Sequence, residues 1–205
     1  MRIGEPTMIL NNPSPGRPLT LTQRWSTLFT VLLAIGMFGL GLVLRAQITG
    51  AVAEYEDTRI GIRLTYPEKW LQDTNSGDYV FRVRDMTRAG FKTTIQISVQ
   101  PVSSLTTERN VADQLARSRV LTLQDYRVLS ISQSTLRDIP IEIVRYTYND
   151  QSTSPFLQSF STVVEGQDIL TIQRGQAIII SFRAAADSFE NEYPVFDAFL
   201  SDLEF

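Results

Sequence analysis

The sequence contains neither cysteine nor histidine. Disulfides are therefore excluded, and so are the Ser-His-Asp and Cys-His arrangements of the common hydrolases. A zinc site would have to be built from carboxylates alone. Only two lysines are present, Lys69 and Lys92, and neither has a serine at a spacing typical of a Ser-Lys dyad. We therefore expect no enzymatic activity and no bound metal or cofactor.

Glycine-rich phosphate loops and calcium loops of alternating Asp and Asn are also missing. Basic residues number 19 against 22 acidic ones, and they are unevenly distributed. Residues 1–53 carry a net charge of +3, whereas residues 54–205 carry −6. An acidic segment of this length argues against nucleic acid as a partner, because phosphate backbones require basic surfaces.

The longest uncharged stretch runs for 20 residues from Trp25 to Leu44, between Arg24 and Arg45. At about 1.5 Å per residue a helix of this length spans about 30 Å, the thickness of the hydrocarbon core. Its N-terminal flank is the more basic one, which predicts a cytoplasmic N-terminus and a domain on the periplasmic, extracellular or lumenal side. We divide the chain into a proline-rich tail (1–24), a transmembrane helix (25–45), a linker (46–57) and a domain (58–205).

A cleaved signal peptide is the alternative, because Ala51-Val52-Ala53 has the small-x-small form of a signal peptidase site. Two features favour a retained anchor. The apolar stretch is longer than the roughly 7–15 residues of a signal core, and the site lies nine residues beyond Leu44. Both interpretations place the domain on the same side of the membrane.

Small side chains are frequent inside the apolar stretch, and small residues allow helices to approach closely in lipid. The favoured interpretation is a lone tether in the lipid bilayer, because glycine is common in spanning helices. The alternative is that these residues pack against other membrane subunits. The candidate packing residues are Thr30, Ala34, Gly36, Gly39 and Gly41.

Strand patterns dominate the domain. Alternating and β-branched segments separated by turn residues predict strands, at 59–66, 79–84, 93–99, 126–136, 139–148, 155–164, 169–174 and 177–183. Short turns are predicted at Arg137-Asp138, Glu165-Gly166-Gln167 and Gly175-Gln176. Amphipathic helices are expected from Thr106 or Thr107 to Val120 and from a capping box at Asp187 and Glu190 to Leu203. This order predicts an α+β fold, an antiparallel sheet with packed helices behind a single transmembrane helix.

Three segments resemble the PsbP-like family over about residues 55–205: GIRLTYPEKW (Gly61–Trp70), IIISFR followed by AAAD (178–187), and FDAFLSDLEF (Phe196–Phe205). The family includes an extrinsic lumenal subunit of the oxygen-evolving photosystem, bacterial envelope proteins and a nuclear-import factor that binds a small GTPase. The resemblance implies a PsbP-like fold that docks onto another protein rather than catalysing a reaction. The spanning helix and the absence of histidine depart from the plant subunit, so no direct role at a metal cluster is expected.

One basic cluster stands out in the acidic domain and consists of Arg82, Arg84, Arg88 and Lys92. Alternation places Arg82 and Arg84 on the strand face opposite Phe81 and Val83. The favoured interpretation is an ordinary solvent face in which the arginines pair with neighbouring carboxylates. The four residues are the candidate docking patch of the alternative interpretation, for a carboxylate-rich partner or lipid head groups.

The functional expectation is a non-enzymatic, single-pass accessory or assembly subunit of a larger membrane complex, in photosynthetic or respiratory electron transfer. Its partners would be other membrane-protein subunits and the bilayer. The alternative is a membrane-anchored module that binds a lipid or small amphiphile. That alternative predicts an apolar pocket between the sheet and a helix.

Overall fold

The computed structural model describes residues 21–49, 51–58, 60–73, 78–151 and 161–204. The chain divides into two units, Met1–Gly50 and Ala51–Phe205. Residues 1–20 of the predicted tail lie outside the described part. The last four tail residues already belong to a helix, so the structure places the helix start earlier than position 25.

The first unit contains helix α1, Leu21–Thr49. Its segment Trp25–Leu44 is exposed throughout and is long and apolar enough to cross a membrane. An apolar helix that buries none of its side chains against protein requires another apolar environment. The predicted helix is therefore confirmed, and a membrane span or a signal sequence both fit it.

The second unit contains nine described strands and two helices, and its strands pair in antiparallel fashion. The elements are β1 (Val52–Asp57), β2 (Ile62–Pro67), β3 (Leu71–Gln72), β4 (Phe81–Arg84), β5 (Thr94–Pro101), α2 (Glu108–Thr122), β6 (Gln124–Leu136), β7 (Ile139–Asp150), β8 (Thr162–Gln173), β9 (Gln176–Ala185) and α3 (Phe189–Asp202). Seven strands form one sheet in the order β3-β4-β5-β9-β8-β7-β6, and β1 and β2 form a separate hairpin. The predicted α+β class is confirmed.

Elements pack on both faces of the large sheet, and the core is therefore divided in two. On one face, Phe81, Ile97 and Phe182 pack against α3 and the β1–β2 hairpin. On the other face, Val144 and Tyr146 pack against α2. Strand β9 is buried on both sides, which explains its continuous apolar sequence.

Strand β1 lies within the predicted linker 46–57, so that boundary is corrected. Its six residues pair with β2 from Val52 opposite Pro67 to Asp57 opposite Ile62. The sequence of β1 is polar because glutamates occupy its exposed positions. Tyr55 points inward, packs on the α3-side core and donates a hydrogen bond to the Val80 carbonyl at 3.2 Å.

The turn predicted at Glu165-Gly166-Gln167 is wrong, because β8 runs without interruption from Thr162 to Gln173. Gly166 lies opposite Tyr146 on β7 and Arg183 on β9. The Tyr146 ring occupies the space that a side chain at Gly166 would fill. A glycine inside a strand marks such a close approach as often as a turn. The predicted strand 155–164 lies outside the described residues up to position 160.

The two domain helices follow the predicted apolar stripes but differ at their N-termini. Thr107 caps α2, where its hydroxyl accepts from Asn110 N at 3.3 Å and its own N–H donates to Asn110 Oδ1 at 3.1 Å. The capping box predicted at Asp187 and Glu190 is wrong. Ser188 precedes α3 without a side-chain cap, and Glu190 accepts a hydrogen bond from Arg145 at 3.0 Å instead.

Candidate docking surface

Helix α2 covers only part of its side of the large sheet, since it packs over β6, β7 and β8. On the same face, β4, β5 and β9 present polar side chains. Phe81, Val83, Phe182 and Ala184 point to the α3 side, and alternation places their neighbours on the α2 side. The side chains that form this surface, called the arginine strip here, are Arg82, Arg84, Gln96 and Arg183.

One amide oxygen connects two of the three arginines in the strip. Gln96 Oε1 accepts from Arg82 Nε at 3.0 Å and from Arg183 Nη2 at 2.8 Å. Arg82 also stacks its guanidinium over the Tyr79 ring at 3.8 Å. These contacts restrict the Arg82 and Arg183 guanidinium groups, whose planar form suits bidentate contacts with carboxylates.

A single carboxylate balances the strip among the described residues. Asp73 Oδ2 lies 3.6 Å from Arg82 Nη1 and 3.4 Å from Arg84 Nη2, whereas Arg183 has no ion pair there. Burial and the positive charge of Arg183 lower the pKa of Arg82. The side chains of Arg82 and Arg84 remain 29% and 38% exposed. The strip therefore carries excess positive charge within reach of a partner.

The four residues of the candidate patch divide into two pairs. Arg82 and Arg84 lie together on β4 as predicted. Arg88 and Lys92 belong to the β4–β5 loop, where Arg88 Nε lies 3.6 Å from Asp85 Oδ2 and 3.3 Å from Glu192 Oε1 of α3. Lys92 donates to the Arg88 carbonyl. For Arg88 the structure thus shows the paired arrangement of the favoured interpretation.

The small residues of α1 occupy two faces of that helix. At 100° per residue, Thr30, Ala34 and Gly41 fall on one side, whereas Gly36 and Gly39 fall on the other. A Cβ atom added at any of the three glycines would meet no neighbouring atom within 4 Å. Packing of these residues against other membrane helices stays a prediction.

A buried ionic cluster lies beside the strip and attaches α2 to the sheet. Asp168 is fully buried, and its two carboxylate oxygens accept hydrogen bonds from Nη1 and Nη2 of Arg119, the latter at 3.1 Å. It also accepts from Ser181 Oγ at 2.7 Å and Tyr146 OH at 3.4 Å. Burial alone would lower the pKa of Arg119, but the Asp168 carboxylate raises it above its usual value. The cluster fixes α2 over β6–β8 and so determines where the uncovered strip begins.

Three tyrosines of this region make the domain sensitive to alkali. Burial raises the pKa of Tyr126, Tyr146 and Tyr148. The unfolded chain ionises its tyrosines from about pH 10, so the folded state is favoured below that pH and loses stability above it. We expect the free energy of unfolding to fall by up to about 1.4 kcal/mol per pH unit for each tyrosine. Urea unfolding across this range measures the slope, which should flatten in Tyr146→Phe; an unchanged slope would contradict the assignment.

A small cavity of about 200 Å³, lined by Leu136, Arg137, Ile139, Leu203 and Glu204, lies at the C-terminal end of α3. A cavity of about 360 Å³ beside the β4–β5 loop is lined by Arg88, Asp187 and Glu192 among others. Between the sheet and α3, stacked rings fill the space, with Phe182 and Phe196 centred 5.0 Å apart. The larger cavity is thus lined by charged groups, and aromatic rings occupy the space between the sheet and α3.

The fold built by these elements is PsbP-like. No family model matches the sequence, and neither does any curated protein. The structure is similar to cyanobacterial PsbP (CyanoP) from Synechocystis sp. PCC 6803, with 14% identity, 75% of this chain and 92% of that chain covered, and a TM-score of 0.57.

Two further solved structures share the fold. LpqN of Mycobacterium tuberculosis, involved in cell envelope biogenesis, is 12% identical, with 75% of this chain and 89% of that chain covered and a TM-score of 0.52. The Saccharomyces cerevisiae Ran-binding protein Mog1p is 10% identical, with 75% and 95% covered and a TM-score of 0.51. Identities this low establish the fold alone.

Proposed function

We propose that this chain is a non-enzymatic, membrane-anchored accessory or assembly subunit whose domain lies on the extracytoplasmic side. In this proposal α1 is retained as the anchor, and the domain docks on an acidic surface of a membrane-protein partner. Complexes of photosynthetic or respiratory electron transfer are the proposed class of partner. A fold shared with cyanobacterial PsbP and with a Ran-binding protein supports docking as the mode of action.

The observation that carries the proposal is the arginine strip. Three guanidinium groups lie on the half of the sheet face beyond the β6–β8 area under α2, and one described carboxylate balances them. Exposed charge of one sign on a domain of opposite net charge orients encounters with a complementary partner. Arginines restricted by Gln96 and Tyr79 lose little side-chain entropy on binding, which favours affinity as well.

Purification of the full chain from its own membranes in a mild detergent tests the proposal. On a native gel we expect the protein to migrate with a larger assembly and to retain its partners. A chain that migrates only at its own mass would argue against a subunit role. Extraction by alkaline carbonate without detergent would argue against the anchor.

Charge reversal in the strip tests the docking surface itself. We expect Arg82→Glu combined with Arg183→Glu to reduce the co-purified partner about tenfold or more, because hydrogen bonds to charged groups contribute about 1.5–3 kcal/mol each. The matched control is Arg117→Glu combined with Arg127→Glu, which changes the charge equally at two exposed positions outside the strip.

The milder substitutions Arg82→Gln and Arg183→Gln control for misfolding, because glutamine keeps a polar group beside Gln96. Partner recovery is quantified after purification of equal amounts of each variant. Equal losses in the strip and control variants would show that overall charge, and not this surface, determines binding.

A further inference from the structure

Strand β6 forms one end of the large sheet. Its hydrogen-bonded neighbour is β7, and no strand of the described part of the chain pairs with its other side. Most of its thirteen residues are exposed. An unpaired edge of this length offers a row of backbone N–H and C=O groups to another strand.

The second half of β6 lacks the devices that normally protect a sheet edge. Proteins prevent edge pairing with lysine, proline, bulges or very short strands. The bulges of β6 are confined to its start, between Gln124 and Ser130. From Ser130 to Leu136 the strand pairs regularly with β7, and this stretch contains no charge, proline or glycine. At the opposite end of the sheet, β3 has only two residues.

This regular stretch, SISQSTL, is nearly symmetric about Gln133. In an antiparallel pair of two copies centred on Gln133, Ser132 lies opposite Ser134, and Ile131 lies opposite Thr135. Serines thus face serines on one side of the sheet, and β-branched residues face each other on the other side. Such cross-strand pairs stabilise a sheet, whereas like charges, which are missing here, would oppose the pairing.

We infer that β6 is a self-association edge: a second copy of this chain pairs its β6 antiparallel to the first, about a two-fold axis at Gln133. The pairing joins two seven-stranded sheets into one and gives the backbone groups of each β6 edge hydrogen-bond partners. A strand pair of seven residues is smaller than the interfaces of stable dimers. The dimer therefore depends on the high local concentration that an anchor in a shared membrane provides.

The absence of cysteine allows a clean cross-linking test with the full chain in membranes. In the Gln133→Cys variant the two cysteines of a dimer lie opposite each other, with Cα atoms about 4.5–5.5 Å apart, within the range that a disulfide spans. In Ser130→Cys, on the same strand, they are offset by six residues, or about 20 Å. Ser118→Cys, exposed on α2, reports random collision.

Under mild oxidation we expect on the order of tenfold more dimer from Gln133→Cys than from Ser130→Cys or Ser118→Cys, because the expected separations differ about fourfold. Addition of Ser134→Lys to Gln133→Cys should abolish the difference, since two edge lysines then approach across the axis. Ser118→Lys in the same background adds the same charge and should leave the dimer unchanged.

Three results would overturn the inference: no dimer from Gln133→Cys, equal dimer from all three positions, or cross-linking of position 133 to a different protein. Dimer that survives Ser134→Lys would also overturn it. Circular dichroism of each variant checks that the fold is retained. We expect it to be retained, because the substituted serines are exposed. The strip lies on β4, β5 and β9 and not on β6. Loss of the partner in the arginine-strip experiment would therefore not change the cross-linking expected at position 133.

Discussion

Replacement of Asp168 by alanine is expected to lower the free energy of unfolding of the domain by about 3–5 kcal/mol, because it leaves a buried guanidinium without its counter-ion. Asp168 has no exposed side-chain surface, and the Arg119 side chain retains 15%. The Ser181 and Tyr146 hydroxyls lose the same acceptor. Urea unfolding of residues 51–205, produced without α1, measures the loss.

An exposed ion pair on the same helix provides the control. The side chains of Arg109 and Asp113 are 53% and 45% exposed, and Asp113→Ala should cost less than about 1 kcal/mol. The double variant Arg119→Met with Asp168→Leu removes both charges and should be more stable than Asp168→Ala alone. Equal costs at Asp168 and Asp113 would contradict the buried cluster.

Sequence periodicity predicted the elements whose burial follows a simple pattern. The alternation in β4 correctly placed Phe81 and Val83 inward and Arg82 outward. The amphipathic helix expected to end at Leu203 is α3, which buries Phe189, Phe196 and Phe199. The two-residue turn between β6 and β7 is also confirmed: Arg137 and Asp138 both have positive φ angles, at 49° and 66°, as tight hairpin turns require.

Periodicity failed where one strand depends on a partner far away in sequence. Strand β1 looked like a linker because four of its six residues are acidic or small, and its burial comes from the hairpin with β2. In β8, a glycine beside polar residues looked like a turn. Only the position of the Tyr146 ring explains why glycine is required at position 166 of a continuous strand.

The sequence predicted only part of the candidate docking surface, because the rest depends on strands that are far apart in sequence. Arg82 and Arg84 are two residues apart on one strand, so alternation alone places them together. Arg183 joins them through the pairing of β5 with β9, which no local pattern reveals. A signal was present, however: Arg183 interrupts the apolar run of β9, and a charge inside a strand buried on both faces needs a partner or a site.

Replacement of Gly166 by alanine is the second change with a large expected effect. An added Cβ atom would lie 2.5 Å from Cε2 and 2.6 Å from the hydroxyl oxygen of Tyr146, and closer still to Cζ. The Tyr146 ring is fully buried and held between Arg119, whose guanidinium lies 4.3 Å from its centre, and Tyr126, 5.4 Å away. Since the ring has little space to move, we expect a loss of about 1–3 kcal/mol or more in urea unfolding.

A second substitution distinguishes the clash with the Tyr146 ring from any effect of alanine on the backbone of β8. In a Tyr146→Leu background the ring is gone, so Gly166→Ala should cost far less than it does in the wild-type domain, and the two substitutions should be strongly coupled. A cost that stays the same in both backgrounds would mean that the backbone of β8, and not the ring, requires glycine. Because Tyr146 also contacts Arg119 and Asp168, a ring displaced by Gly166→Ala should weaken the attachment of α2 as well. Hydrogen exchange of the α2 amides would then increase together with that of β8, whereas a purely local effect would leave α2 protected.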